Sequence, residues 1–152
     1  MNQIVYEAFE VVVSEVIFVI HRLNVKTRSR IEFQNITRAV QEVVNSSHIE
    51  SGVCYLFVPH TTAAVTLNEQ ADPNVVEDIT EQLEAIVPQH DKYRHSEGNS
   101  PAHIKSSLLG SSEMVLVDDG RLVLGTWQGI FFCEFDGPRS RSLLVKIVPD
   151  RR

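Results

Sequence analysis

Hydrophobic and polar positions follow two different periods along this chain, one typical of strands and one typical of helices. The runs from Val53 to Val58 and from Ala63 to Leu67 are apolar and rich in β-branched residues, so they predict two neighbouring strands. The segments that follow Asn35 and Asp72 repeat their apolar residues at helical spacing. Asp72 is placed to cap the second of these helices, because Pro73 suits a first helical position.

Strands outnumber helices in the rest of the chain. Further strands are predicted at 16–26, 30–33, 113–117, 122–124, 129–135 and 142–148, and a third helix is predicted to begin with Ser100 as its cap and to end at Gly110. The sequence "DDGR" predicts a hairpin turn. The first fifteen or so residues fit a strand or a helix. Helices inserted among many strands predict an α+β fold with mostly antiparallel sheets, and the length suits one domain over residues 1–152.

Composition excludes several classes of function. The net charge of −6 at pH 7 opposes the general attraction to phosphate backbones that nucleic-acid binding requires. The one long apolar stretch, Phe9 to Ile20, is interrupted by charged residues and is too short to span a bilayer. Cys54 and Cys133 lie inside apolar runs, as buried thiols do, and no secretory signal pattern is present. We therefore expect a cytoplasmic protein without nucleic-acid or membrane partners.

The stretch "VPHTTAAVTLNEQADP", which begins at Val58, carries candidate chemistry. Strand alternation places His60, Thr62 and Asn68 on one face with Ala64 between them, and these small side chains predict an open polar floor. On a straight strand His60 and Asn68 would stand roughly 26 Å apart, too far to share a small ligand. Three arrangements remain: the chain bends, two sites exist, or a second copy brings the two ends together.

Three histidines lie beside turn or helix-start signals: His60, His95 and His103. His103 falls in the first turn of its helix, whose positive dipole end favours the neutral imidazole that binds metals. Three neutral imidazoles form a recognised metal set, although their spacing here matches no standard motif. Each of these histidines is therefore either a site residue or a polar surface residue.

Two motifs near the C-terminus also leave their roles open. Trp127 in "GTWQG", the only tryptophan, is either a core ring at the end of a sheet or a surface on which a substrate stacks. Arg139 and Arg141 in "DGPRSR" either bind a phosphate or belong to a solvated turn.

Together, "VPHTTAAVTLNEQADPNVVED", "HSEGNSPAHIKSSLLGSS" and "GRLVLGTWQGIFFCEFDGPRSR" resemble the YjbQ-like family, also called the secondary thiamine-phosphate synthase enzyme family, over about residues 27–148. The resemblance implies an α+β fold in which helices flank a β-sandwich, and assembly as a homotrimer. It also implies thiamine-phosphate synthase activity, which joins a pyrimidine diphosphate to a thiazole phosphate. The family's characteristic polar positions correspond to His60, Thr61, Thr62, Asn68, Glu69, Asp72, His95, Asn99, His103, Gly125, Thr126, Trp127, Gln128 and Arg139.

The implied site holds a phosphorylated small-molecule substrate and a divalent metal ion, Zn or Mg, which would stabilise the leaving diphosphate. The expected catalytic residues are His60, Glu69, Asp72 and Arg139; the expected substrate-binding residues are Thr61, Thr62, Asn68, Asn99, Trp127 and Gln128; and the expected metal ligands are His60, His95 and His103. Two alternatives remain open. One is a metal-dependent hydrolase of a phosphorylated metabolite, and the other is a non-catalytic trimeric module that binds a metal or a metabolite.

Overall fold

A computed structural model describes residues 19–150, so the ambiguous first fifteen residues lie outside the described part of the chain. The described elements are β1 (Ile20–Lys26), β2 (Glu32–Asn35), α1 (Thr37–Ser47), β3 (Gly52–Phe57), β4 (Ala63–Glu69), α2 (Pro73–Ile86), α3 (Ser100–Leu109), β5 (Ser112–Asp118), β6 (Arg121–Leu122), β7 (Gln128–Glu134) and β8 (Ser140–Pro149). Within residues 19–150, no helix is long and apolar enough to cross a membrane.

The strands form two sheets. The larger sheet has the order β1-β8-β3-β5-β6, and the smaller has the order β2-β7-β4. Every pair among the strands of residues 19–150 is antiparallel. The predicted α+β class with antiparallel sheets is therefore confirmed.

The smaller sheet is covered on both faces. One core cluster combines Leu56 and Val145 of the larger sheet with Val65 and Phe132 of the smaller sheet, and α1 adds to it. A second cluster joins the opposite face of the smaller sheet, including Ala64, to α2 and α3. The predicted open polar floor on β4 is therefore wrong, because the face that carries Ala64 is buried beneath two helices.

Local signals locate the helices better than the strand ends. The Asp72 cap is confirmed: its carboxylate accepts from the backbone N–H of Asn74 at 2.9 Å, and Pro73 follows in the first turn. The Ser100 cap is wrong, since Ser100 is helical and Asn99 occupies the cap position without a side-chain capping bond. β2 lies two residues later than predicted, and β6 ends after Leu122.

The predicted "DDGR" hairpin turn is confirmed between β5 and β6. Its two central residues, Asp119 and Gly120, have φ angles of 50° and 67°. A two-residue turn with both φ values positive matches the right-handed twist of the strands that it joins, and aspartate followed by glycine is one of the preferred sequences for it.

Candidate functional site

His60 lies beside β8 at a point that the neighbouring strand β3 does not reach. β3 pairs with β8 only as far as Phe57, which lies opposite Leu144, whereas β8 begins at Ser140. The backbone N–H of Ser142 therefore has no β3 partner, and it donates instead to Nε2 of His60 at 2.9 Å. The imidazole of His60 thus accepts the hydrogen bond that a backbone carbonyl would accept if β3 continued along β8.

A buried ion pair lies close to His60. Arg141 donates from Nε and Nη2 to the two carboxylate oxygens of Glu134, at 2.8 and 2.6 Å. The same Nη2 donates to Oγ1 of Thr62 at 2.7 Å, and Oγ1 of Thr27 donates to Glu134 at 3.0 Å. Glu134 is fully buried and Arg141 is 8% exposed. Thr62, expected to bind substrate, thus directs its hydroxyl to this interior network.

The charges of this network set the protonation state of His60. Burial lowers the pKa of His60, and the positive charges of Arg141 and Arg22 lower it further, whereas Glu134 opposes them. Burial would raise the pKa of Glu134, but hydrogen bonds from Arg141 and from the backbone of Asp136 hold that pKa below its usual value. At neutral pH Glu134 is therefore charged, and His60 is neutral.

His60 lines a groove between the β3–β4 turn and α3, with a volume of about 830 Å³. We call it the His60 groove and define it by Phe57, Pro59, His60, Thr61, His103 and Ser111. His60 and His103 are half-buried in its wall, and Thr61 is exposed. The groove thus brings together two of the three predicted histidines and one predicted substrate-binding threonine.

His95 does not line this groove, although it contacts His103 in the groove wall. Its ring contacts the ring of His103 edge-to-face, with the two centroids 5.4 Å apart, and it lines a separate cavity of about 430 Å³ beside Tyr93 and Ile104. In residues 19–150, no group of three His, Cys, Asp or Glu side chains is placed to hold a metal ion. The Nε2 lone pair of His60 is already engaged by Ser142. The three predicted ligands therefore do not fit a metal site within one described chain.

Arg139 and Asn99 converge on the carboxylate of Asp136. Nη2 of Arg139 and Nδ2 of Asn99 donate to its Oδ2, at 2.8 and 3.1 Å. Burial would raise the pKa of Asp136, but these hydrogen bonds hold it below its usual value. Oδ1 of Asn99 is buried, and no described residue donates to it. Arg139 is 52% exposed, so a ligand can reach its guanidinium, although Asp136 already neutralises part of its charge.

The acidic candidates lie at the opposite end of β4. In the β4–β7 ladder Asn68 and Glu69 pair with Gly129 and Gln128, whereas Ala63, near His60, pairs with Glu134. Oδ1 of Asn68 accepts from the backbone N–H of Glu69 at 2.8 Å. Asp72 begins α2 as its cap. One chain therefore keeps the acidic candidates and the histidine candidates at separate ends of a strand.

The loop before β7 presents Trp127 to solvent. Oε1 of Gln128 accepts from the backbone N–H of Gly125 at 2.8 Å, and the backbone N–H of Gln70 donates to the carbonyl of Trp127 at 2.8 Å. A Cβ on Gly129 would lie 2.8 Å from the Gln70 side chain, so the close approach requires glycine. Trp127 is 62% exposed, and the alternative of a core ring is therefore wrong.

The solvent face of the larger sheet exposes several large apolar side chains and meets the His60 groove. We call this surface the outer face; its exposed apolar residues are Ile20, Tyr55, Phe57, Met114 and Leu116, each between 46% and 60% exposed. Tyr55 lies between Lys146 and Met114 in the sheet register. Phe57 belongs to both the outer face and the groove. Lys146 lies between Ile20 and Tyr55, and several large apolar side chains exposed on one sheet face are typical of an interaction surface.

Sequence reasoning missed the buried charges. It did not single out Glu134, and it placed Arg141 on a solvated or phosphate-binding turn. It also missed Lys105, which is fully buried and paired with Glu84. A signal for Glu134 is present in "IFFCEF", because a single acid inside an apolar strand needs a buried partner.

Comparison with known proteins gives consistent matches. The family model described as "UPF0047 protein YjbQ-like" matches residues 21–150. A UPF0047 protein of Methanocaldococcus jannaschii is 46% identical over 136 residues, covering 90% of this chain and 99% of that protein. The UPF0047 protein YugU of Bacillus subtilis is 48% identical over 127 residues, covering 83% of this chain and 96% of that protein. A YjbQ/UPF0047-family crystal structure from Clostridium acetobutylicum gives a TM-score of 0.83 at 48% identity, covering 84% of this chain and 99% of that one.

These comparisons correct the expected activity. A Sulfolobus solfataricus structure, with a TM-score of 0.84 and 34% identity over 88% of this chain and 98% of that one, is described as a YbjQ-like protein of unknown function. The relatives from M. jannaschii and B. subtilis are likewise described only as UPF0047 proteins. Thiamine-phosphate synthase activity is therefore wrong as an assignment. The extent and identity of the matches establish that this chain belongs to the YjbQ-like UPF0047 family.

Proposed function

We propose that this protein binds a phosphorylated small molecule in the His60 groove. The observation that carries this proposal is the local charge around His60: Glu134 neutralises Arg141 in a bidentate ion pair, which leaves the positive charge of Arg22 in excess among the described groups that act on the imidazole. The resulting positive potential favours an anion. The groove also offers the hydroxyl groups of Thr61 and Ser111, and its volume of about 830 Å³ suits a small metabolite.

We extend this proposal to a homotrimer in which neighbouring copies cover the outer face. Support comes from the exposed apolar residues of that face and from Phe57, which joins it to the groove. A copy that covers Phe57 would also close the open side of the groove. It could bring the Asn68 and Trp127 end of its own β4–β7 ladder toward the histidines of its neighbour, which would remove the separation seen within one chain.

A divalent ion, Zn or Mg, stays a prediction that needs donors from a second copy, because one described chain supplies no suitable group. We derive no step through it. A cytoplasmic location also remains part of the proposal, supported by the two buried free thiols, Cys54 and Cys133, which suit a reducing compartment.

Calorimetric titration tests the ligand class. Inorganic phosphate and glycerol phosphate should bind saturably to the wild-type protein, and His60→Ala should weaken that binding by about tenfold or more, as expected for loss of a hydrogen bond to a charged group. His90→Gln is the matched control, because His90 is exposed and lies outside the His60 groove. Absence of saturable binding to the wild-type protein at millimolar concentrations would contradict the proposal.

Sedimentation equilibrium tests the assembly. The wild-type protein should have a mass near three times 17.2 kDa. Tyr55→Lys should shift the protein toward the monomer, because it places a charge in the centre of the proposed interface. Ile86→Lys changes an equally apolar residue on α2 that is 68% exposed and lies away from the outer face, and it should leave the mass unchanged. A monomeric wild-type protein would rule out the trimer.

A further inference from the structure

The hydrogen bond from Ser142 determines which nitrogen of His60 carries the proton. A backbone N–H can only donate, so Nε2 of His60, which lies 2.9 Å from the Ser142 nitrogen, must present its lone pair. In a neutral imidazole the other nitrogen then carries the hydrogen. His60 is therefore fixed as the tautomer protonated at Nδ1.

The surrounding structure keeps the ring in this orientation. Ser142 follows Arg141, whose guanidinium is held by two hydrogen bonds to Glu134 and one to Thr62. Both members of the ion pair are buried, so the backbone beside Ser142 is anchored in the core. Thr62, two residues after His60, is attached to the same guanidinium. The donor N–H and the chain that carries the imidazole are thus fixed to one rigid network.

This arrangement is unsuited to metal coordination at His60. A metal needs an imidazole lone pair, and the Nε2 lone pair is occupied. If Nδ1 were to bind the metal, the neutral ring would carry its proton on Nε2, and that N–H would point at the N–H of Ser142. Two donors facing each other at hydrogen-bond distance are repulsive, so the ring would have to leave its position.

We propose that His60 is a fixed hydrogen-bond donor whose Nδ1–H binds an oxygen atom of the ligand in the His60 groove, and that His60 is neither a metal ligand nor a base. This proposal rests on the proposed function, since the phosphate group supplies the oxygen. It restricts the ligands that can bind, because the ligand atom that contacts Nδ1–H of His60 must be a hydrogen-bond acceptor. A phosphoryl or carboxylate oxygen satisfies this requirement, whereas an ammonium group does not.

Nitrogen NMR of the full chain, labelled with ¹⁵N-histidine, tests the tautomer directly. At neutral pH the Nε2 signal of His60, assigned by its loss in His60→Gln, should have the shift of an unprotonated nitrogen, and Nδ1 that of a protonated one. Addition of equimolar zinc chloride should leave both signals in place. A proton on Nε2, or a zinc-dependent shift of either nitrogen of His60, would overturn the proposal.

Phosphate binding by matched variants tests the donor role. In His60→Asn the side-chain amide can place an N–H near the position of Nδ1, whereas His60→Ala removes the donor. His60→Asn should therefore bind inorganic phosphate at least several-fold more tightly than His60→Ala, and equal affinities of the two variants would overturn the donor role. If the wild-type protein shows the expected tautomer but does not bind phosphate in the calorimeter, the proposed function fails while the tautomer assignment stands; if phosphate binds but the Nδ1 signal does not respond, the donor role is overturned.

Discussion

Removal of the Glu134 charge should destabilise the protein strongly. This carboxylate is fully buried and accepts five hydrogen bonds, from Thr27, twice from Arg141, and from the backbone N–H groups of Phe135 and Asp136. Glu134→Gln keeps the shape but leaves a buried guanidinium without its counter-charge and turns an amide N–H toward existing donors. Breaking one side of a buried pair costs about 3–5 kcal/mol. Because glutamine retains one acceptor oxygen, we expect the free energy of unfolding to fall by about 3 kcal/mol, the lower end of that range.

Urea unfolding followed by circular dichroism measures this loss. With a urea dependence of about 2 kcal/mol per molar, the midpoint should fall by about 1.5 M. Glu77→Gln is the surface control, since Glu77 is exposed on α2, and its midpoint should change by less than about 0.3 M. All variants must be compared at one protein concentration, because association adds to apparent stability. A midpoint for Glu134→Gln that equals that of the Glu77→Gln control would refute the reasoning.

The double variant Glu134→Leu with Arg141→Met distinguishes the cost of leaving one buried charge unpaired from the effect of removing the whole ion pair. It removes both charges, so it leaves no uncompensated ion, and it should be more stable than Glu134→Leu alone.

The pH dependence of stability gives a second test of the Glu134–Arg141 pair. The pKa of Glu134 in the folded protein lies below its value of about 4.3 in the unfolded chain. The charged carboxylate therefore contributes fully to the free energy of unfolding above about pH 4.3, and this contribution is lost as the pH falls through the folded pKa. The stability difference between wild-type protein and Glu134→Gln should therefore shrink as the pH falls below about 4.3.

Three further predictions concern the fold. Asp72→Ala removes the capping bond to Asn74 and should lower the free energy of unfolding by about 1 kcal/mol. The thermal midpoint should then fall by about 2–4 °C, and an unchanged midpoint would contradict the capping role. Gly52→Ala should prevent native folding, because the new Cβ would lie 2.2 Å from the carbonyl oxygen of Val148; a native circular dichroism spectrum would contradict this clash. Burial raises the pKa of the Cys54 thiol to about 12, so a thiol reagent should modify Cys54 only after denaturation, and rapid modification of the folded protein would be inconsistent with this burial.

Elements with local signals were predictable from the sequence. The hairpin turn at Asp119 and Gly120 and the Asp72 cap depend on residues within a few positions of each other, and both were found where the sequence placed them. The same holds for the class of fold, because alternating apolar runs and helical repeats fix the type of each element. Strand ends were less accurate, since pairing with distant strands decides where a strand stops. β6 ends after Leu122 although the apolar run continues to Leu124.

The candidate site was predictable only in part, because its geometry depends on contacts distant in sequence. Strand alternation correctly separates Ala63 from Ala64, but it cannot tell that α2 and α3 cover the Ala64 face. Similarly, the pattern places His60 before a strand, yet the bond from Ser142 spans 82 positions. No local rule predicts that bond, since it exists because β3 leaves the sheet before β8 does.

The truncation of β3 also explains why a groove and a histidine donor occur together. Where β3 ends, the sheet loses a strand, which leaves both an open space beside α3 and a backbone N–H on β8 without a partner. That part-buried N–H donates to Nε2 of His60, and in our proposal the Nδ1–H of the same ring donates to the ligand. A non-polar residue at position 60 would leave Ser142 unsatisfied, and a lysine would offer it no acceptor. Histidine at this position therefore accepts from the sheet with Nε2 and, in our proposal, offers Nδ1–H to a ligand in the groove.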